Sequence, residues 1–273
     1  MTATVAPSAD QQQLRLPSKP KPSAFAIGVW ILVIVFTIVS ARRVEFSFSG
    51  VIEDIQRSNP VFDGLLHTRW GEMFSARSRS AFLQTLQMAV LGTTGGVIVS
   101  LPLALWSTKV GNPYVVPRLI LRSINNVIRS IPDLVWAGLF VLGTGIGALS
   151  GVLALFFFSI AVMVKLTADT LDGLDMGPVE AANAAGASHT QMLRTAIVPQ
   201  ILPAFSSYAL YDLELNLRAS AVLGLVGAGG IGTRLVFFQN RGQWDKLWGL
   251  VVMFFLVVFV VEYISVRIRR RLV

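Results

Sequence analysis

Apolar residues in this chain fall in long unbroken runs divided by polar stretches, a pattern that predicts membrane-crossing helices rather than the half-buried elements of a soluble domain. Residues 24 to 41, AFAIGVWILVIVFTIVSA, hold no charge over about the length that crosses hydrocarbon. Val39-Ser40-Ala41 resembles a signal-cleavage site, but the apolar core is long and its polar lead-in extended, so a retained anchor is expected. A second run covers Ala81 to Trp106, where Gly92, Gly95, Gly96 and Pro102 suit a helix packed closely against others. Further helices are expected from about Val115 to Leu142, Ala148 to Thr170, Ile201 to Ser220 and Leu247 to Val266. That is an all-α, polytopic membrane protein with about six transmembrane helices.

Composition agrees: 53% of the 273 residues are hydrophobic and only 14% charged, with a mean hydropathy of +0.64. With no cysteine and two distant histidines, His67 and His189, no metal site is expected. The net charge of +8 is assigned to membrane orientation and contact with anionic membrane lipid, not to nucleic acid. An even number of crossings puts both termini on one side, and Arg15, Lys19, Lys21 with Arg267, Arg269, Arg270 and Arg271 make that side cytoplasmic. Against this stand Arg42, Arg43, Arg57, Arg69, Arg77 and Arg79, in the loop placed outside. Residues 1–23 lack apolar periodicity and read as a disordered cytoplasmic tail, 24–80 as an anchor helix with its external loop, and 81–273 as the main transmembrane domain.

The most informative polar stretch is DMGPVEAANAAGASHTQMLRTAIVPQILP, Asp175 to Pro203. Pro178 suits a first helical turn, Glu180 sits where the helix dipole favours an anion, and Gly186 suits the helix end. Ser188-His189-Thr190-Gln191 has the form of a capping box opening a second short helix that ends before Pro199. Two short alanine-studded helices joined at a glycine make a knob whose backbone can approach another surface. Glu180-Ala181-Ala182, Gly186 six residues later and then Pro199 resemble the EAA loop of bacterial ABC importer permeases, with Ala196 and Val198 where Ile and Leu are usual. The resemblance implies that Glu180, Ala181, Ala182 and Gly186 are coupling residues that dock on a cytoplasmic ATPase. Asn216 to Gly232 with Arg129-Ser130-Ile131-Pro132 resembles the permeases of phosphonate importers, relatives of methionine importer permeases, over most of residues 81 to 268. The implied protein is a permease of the bacterial plasma membrane for phosphonate, phosphite or phosphate. Its implied partners are ABC ATPase subunits that carry ATP and Mg, a second copy of the permease, and an extracytoplasmic substrate-binding protein. Permeases for another small solute such as methionine, or a passive channel, are the alternatives.

VGAGGIG also matches the dinucleotide pattern G-x-G-x-x-G at Gly227, Gly229 and Gly232, with Asp245 near the distance of a ribose ligand. A βαβ layer has no room here, so Gly224 to Gly232 is read as a tight re-entrant turn on the outer side, with Gly227, Gly229 and Gly230 beside the translocation path or packed between helices. Arg118, Arg122 and Arg129 share a helix face. Arg129 would lie about 20 Å deep, beside a kink at Pro132 that frees the Ile128 carbonyl. Arg129 and Arg218 are candidates for an anion path, or for internal pairs with Asp133 and with Glu214 or Asp212. Arg118 and Arg122 are expected to snorkel near the cytoplasmic boundary, and Lys165 with Asp169 to pair structurally. No phosphate loop of the form G-x-x-x-x-G-K-[ST] occurs, and Ser159 with Lys165 is a remote candidate dyad, so this chain is not expected to be an enzyme or to hold a cofactor.

Overall fold

The computed structural model describes residues 23–44, 47, 50, 52, 53, 55 and 59–272, so the expected N-terminal tail lies outside the described residues. Two units result, residues 1–58 and 59–273. In the first, α1 spans Ala24–Arg43. The Ser23 side chain accepts from the Ala26 N–H at 3.2 Å to start it, and Arg42 and Arg43 close its last turn. It is apolar all round and buries none of its residues within the chain, as a lipid-facing helix does.

The second unit opens with α2, Asn59–Leu66, and a 3-10 turn, Trp70–Phe74, and continues as α3, Ala76–Trp106. Residues 59–75, expected as loop, are tied down: the Trp248 indole donates to the Val61 carbonyl at 2.8 Å, and Arg69 pairs with Asp245 at 2.7 Å. The domain boundary expected at residue 81 therefore falls inside α3, and Asp245 serves an ion pair rather than a ribose.

Next come α4, Val115–Ser130, and α5, Asp133–Thr144, which meet at 89°. One kinked helix was expected here. Pro132 instead breaks it, because proline has no N–H to continue the ladder and holds Ile131 extended at φ −90°, ψ 121°. Nor is the Ile128 carbonyl left free, since the Ile131 N–H and the Trp136 indole donate to it at 3.3 and 3.4 Å.

α6, Ala148–Asp172, runs parallel to α3, and Gly92 and Gly96 bring the two backbones together. A Cβ on Gly92 would stand 2.6 Å from that of Leu155, and one on Gly96 would collide with Ser159. In lipid, where apolar burial gives little drive, such close approach is what holds helices together. Two short helices follow, α7, Gly177–Ala184, and α8, His189–Met192. The second was expected to end before Pro199, but a π turn over Leu193–Ile197 carries it on into α9, Val198–Leu223. Pro199 sits in the first turn of α9, where its missing N–H leaves no gap.

The last elements are α10, Gly230–Gln239, and α11, Trp244–Arg269. α10 was not foreseen; it follows α9 at a 48° bend across the glycine stretch, a geometry shared by a broken span and by the re-entrant turn expected there. Four helices are long and apolar enough to cross a membrane, and six crossings result if each bent pair counts as one. The described residues contain helices and no strand.

Candidate functional site

The segment expected as a knob is one. α7 starts with Pro178 in its first turn and ends at Gly186, whose φ of 76° is open to glycine at little cost and lets the chain reverse. The capping box is complete: Ser188 Oγ accepts from the Gln191 N–H at 3.4 Å, and Gln191 Oε1 accepts from the Ser188 N–H at 2.8 Å. Val179 and Met192 are buried among Ala104, Met163, Leu171 and Ile197, and His189 Nε2 lies 3.2 Å from the Gly111 carbonyl before α4. Glu180, Ala181 and Gly186 are exposed and Ala182 partly so. The knob is thus anchored on its inner side to α3, α6 and the α3–α4 turn, with Ala182 packed against that cluster and Glu180, Ala181 and Gly186 facing outward.

The glycine break lies packed in protein. Gly227, Gly229 and Gly230 all have positive φ, of 86°, 85° and 72°. The Gly227 carbonyl accepts from the Gly147 N–H at 3.0 Å, while the Gly230 and Ile231 N–H groups donate to Gln84 Oε1 at 2.9 Å and Thr85 Oγ1 at 2.7 Å. Those bonds satisfy donors that a helix start leaves open at membrane depth. Gly229 and Gly230 are buried against Ala148 and Thr85.

Of the internal pairs expected, Lys165–Asp169 forms and those of Arg129 and Arg218 do not. Arg129 is exposed and, among the described residues, unpaired; Asp133 Oδ1 accepts from the Leu134 N–H at 2.9 Å instead. Arg218 pairs with Glu262 of α11 at 2.7 Å, both about half exposed, rather than with Glu214 or Asp212. Glu214 is taken by Arg269 at 2.7 Å. Asp212 is fully buried, one turn from Asn216, whose amide donates to Thr93 and Ser159 at 2.7 and 2.6 Å. Lys165 pairs with Asp169 at 2.7 Å, so the Ser159–Lys165 dyad is not formed.

On α4, Val116, Leu119, Ile120, Ile124 and Val127 are exposed, Arg118 is half-buried, Arg122 is exposed and Asn125 is buried. Arg122 donates to the Ser107 carbonyl and to Asp172, each at 2.7 Å, and Asn125 donates to the Ala161 carbonyl at 3.2 Å. Arg118, Arg122, Lys109 and Asp172 line a cavity of about 520 Å³. A neighbouring one of about 170 Å³ holds Asn125, Asn126, Lys165 and Asp169. The four- and seven-residue spacing of polar side chains on α4 was the available signal, but sequence alone does not say which side of such a helix meets lipid.

Long apolar helices, two bent helix pairs and an anchored outward knob are the architecture of a multi-pass membrane protein. The fold is shared with the MetNI methionine ABC transporter in an inward-facing conformation, at a TM-score of 0.62 and 26% identity over 73% of this chain and 99% of that one. It is also shared with an amino acid ABC transporter crystallised with histidines, at a TM-score of 0.59 and 24% identity over 70% and 92%. The chain belongs to the family described as binding-protein-dependent transport system inner membrane component, whose pattern residues 96–273 match. It is 35% identical to the phosphate-import permease protein PhnE of Mycolicibacterium smegmatis, over 86% of this chain and 44% of that protein. It is 37% identical to the phosphite transport system permease protein PtxC of Stutzerimonas stutzeri, over 69% of this chain and 68% of that one. This chain therefore spans less than half of the first relative and about two thirds of the second.

Proposed function

We propose that this chain is the permease subunit of an ABC importer for phosphonate, phosphite or phosphate. The exposed knob carries the reading, because a passive channel has no use for an outward helical pair tied by Val179, Met192 and His189 to the crossings. Glu180, Ala181, Ala182 and Gly186 would contact an ABC ATPase, which carries ATP and Mg. Closure of that ATPase would move the knob, and the buried contacts of α7 and α8 would pass the motion to α3 and α6. A second copy of the chain would complete the path, and an extracytoplasmic binding protein would deliver substrate. The substrate class rests on the relatives: those named for phosphate and phosphite stand at 35 and 37% identity, while those named for D-methionine stand at 24 and 26%.

The test is growth. A bacterial host lacking other phosphorus uptake but carrying enzymes that oxidise phosphite and cleave the C–P bond, given this chain with a matching ATPase and binding protein, should grow on phosphate, phosphite or methylphosphonate as sole phosphorus source. Restored methionine uptake without phosphorus uptake would overturn the substrate assignment.

A further inference from the structure

At the end of the bundle away from the knob, the 3-10 turn, the start of α3, the end of α10 and the start of α11 border an open hollow of about 530 Å³. Four cations line it, Arg77, Arg234, Arg241 and Lys246, against one acid, Glu72. That acid is already engaged. Its Oε1 accepts from the Arg234 guanidinium at 2.9 Å and from Ser75 Oγ at 3.2 Å. Among the described residues Arg77 has no hydrogen bond or ion pair, and Lys246 meets the neutral Gln243 amide oxygen at 3.2 Å and the Phe238 ring at 5.7 Å, neither of them an acid. Arg241 lies over the Phe237 ring at 3.6 Å, and Arg234 over Phe238 at 4.7 Å. The rings hold the two guanidinium groups without neutralising them.

Three cations without an acid around one cavity repel each other, and an anion relieves that repulsion. Guanidinium groups suit paired oxygens on phosphorus. The volume lies within the usual range for a small-ligand pocket, about 300–1,000 Å³, and exceeds what a bare oxyanion needs. The orientation set by the C-terminal arginines puts this end outside, where lysine and arginine are normally sparse. We propose that this cavity is an anion site for a phosphorus oxyanion group, either a free phosphate or phosphonate or the headgroup of an anionic phospholipid. The free form rests on the function proposed above; the headgroup form does not.

The experiment uses the full chain with its ATPase in nanodiscs of phosphatidylcholine doped with phosphatidylglycerol. Equilibrium binding of radiolabelled inorganic phosphate and methylphosphonate is measured, and retained phosphatidylglycerol is counted by native mass spectrometry. The R77Q/K246Q variant removes two unpaired charges at partly or fully exposed positions, R77K/K246R keeps both charges, and R271Q is a control at the far end. A free-anion site predicts at least tenfold weaker oxyanion binding in R77Q/K246Q, with R77K/K246R and R271Q close to wild type. A headgroup site predicts loss of retained phosphatidylglycerol in R77Q/K246Q alone. If both readouts are unchanged in R77Q/K246Q, the site is overturned. Failure of wild type to support growth on phosphate, phosphite and methylphosphonate alike, with the headgroup result positive, would sink the substrate reading and leave the site standing.

Discussion

Two ion pairs between α9 and α11 show how burial sets what a charge is worth. The Glu214 side chain is 6% exposed and Arg269 25%, whereas Arg218 and Glu262 are 49 and 47% exposed. Removing one member of a buried pair strands the other, at roughly 3–5 kcal/mol. Glu214→Leu should therefore lower the melting temperature of the detergent-purified chain sharply, and adding Arg269→Met should restore much of it. A double variant no better than Glu214→Leu would show that the pair is not what stabilises this contact. Half-exposed Arg218 is different, since such pairs contribute about 0–1 kcal/mol. Arg218→Gln should assemble normally. If Arg218 only pairs with Glu262, uptake should recover when Glu262→Gln is added; if it meets substrate, uptake should stay low in the double variant, and Arg218→Lys should retain more than Arg218→Gln.

At the scale of elements, the knob is two short helices that hold together only through caps and a few buried contacts. Ser188→Ala deletes half of the capping box and should cost about 1 kcal/mol of local stability. Hydrogen exchange should then quicken in residues 188–192 and not in α3 or α6. Equal quickening in the crossings would mean that the knob is not a separable element. Gly186→Leu asks a different question. A Cβ there meets nothing within 4 Å, so no clash arises inside the chain, and only the strain of a φ of 76° is added. The complex should form, yet substrate-stimulated ATPase activity should fall several-fold because the added side chain stands on the proposed docking face. Normal stimulation would remove Gly186 from the coupling contact.

For the whole molecule, six crossings with the knob inside and the 3-10 turn outside make a two-site prediction. The chain has no cysteine, so Gly71→Cys and Thr190→Cys each report one position. A membrane-impermeant thiol reagent added to intact cells should label Gly71→Cys, where a Cβ meets nothing within 4 Å, and label Thr190→Cys only after the membrane is opened. The reverse pattern would invert the orientation and place the basic cavity in the cytoplasm.

The sequence by itself determined what local chemistry determines. Unbroken apolar runs marked the crossings, and Pro178, Gly186 and the Ser188–Gln191 box marked the knob, because each rests on neighbours within a few residues; Gly92 and Gly96 marked a close approach, but that Leu155 and Ser159 fill it was decided by packing. Tertiary structure decided what depends on residues far apart in the chain. Pro132 was legible as a disturbance, but the 89° between α4 and α5 was not. The glycine stretch was legible as irregular backbone, but its burial depended on Gln84 and Thr85, 146 residues away. The acid for Arg218 lay 44 residues on, at Glu262, while nearer Glu214 went to Arg269. Chain separation says nothing about such choices, because a charge in a low-dielectric interior pairs with whatever the packing brings within reach.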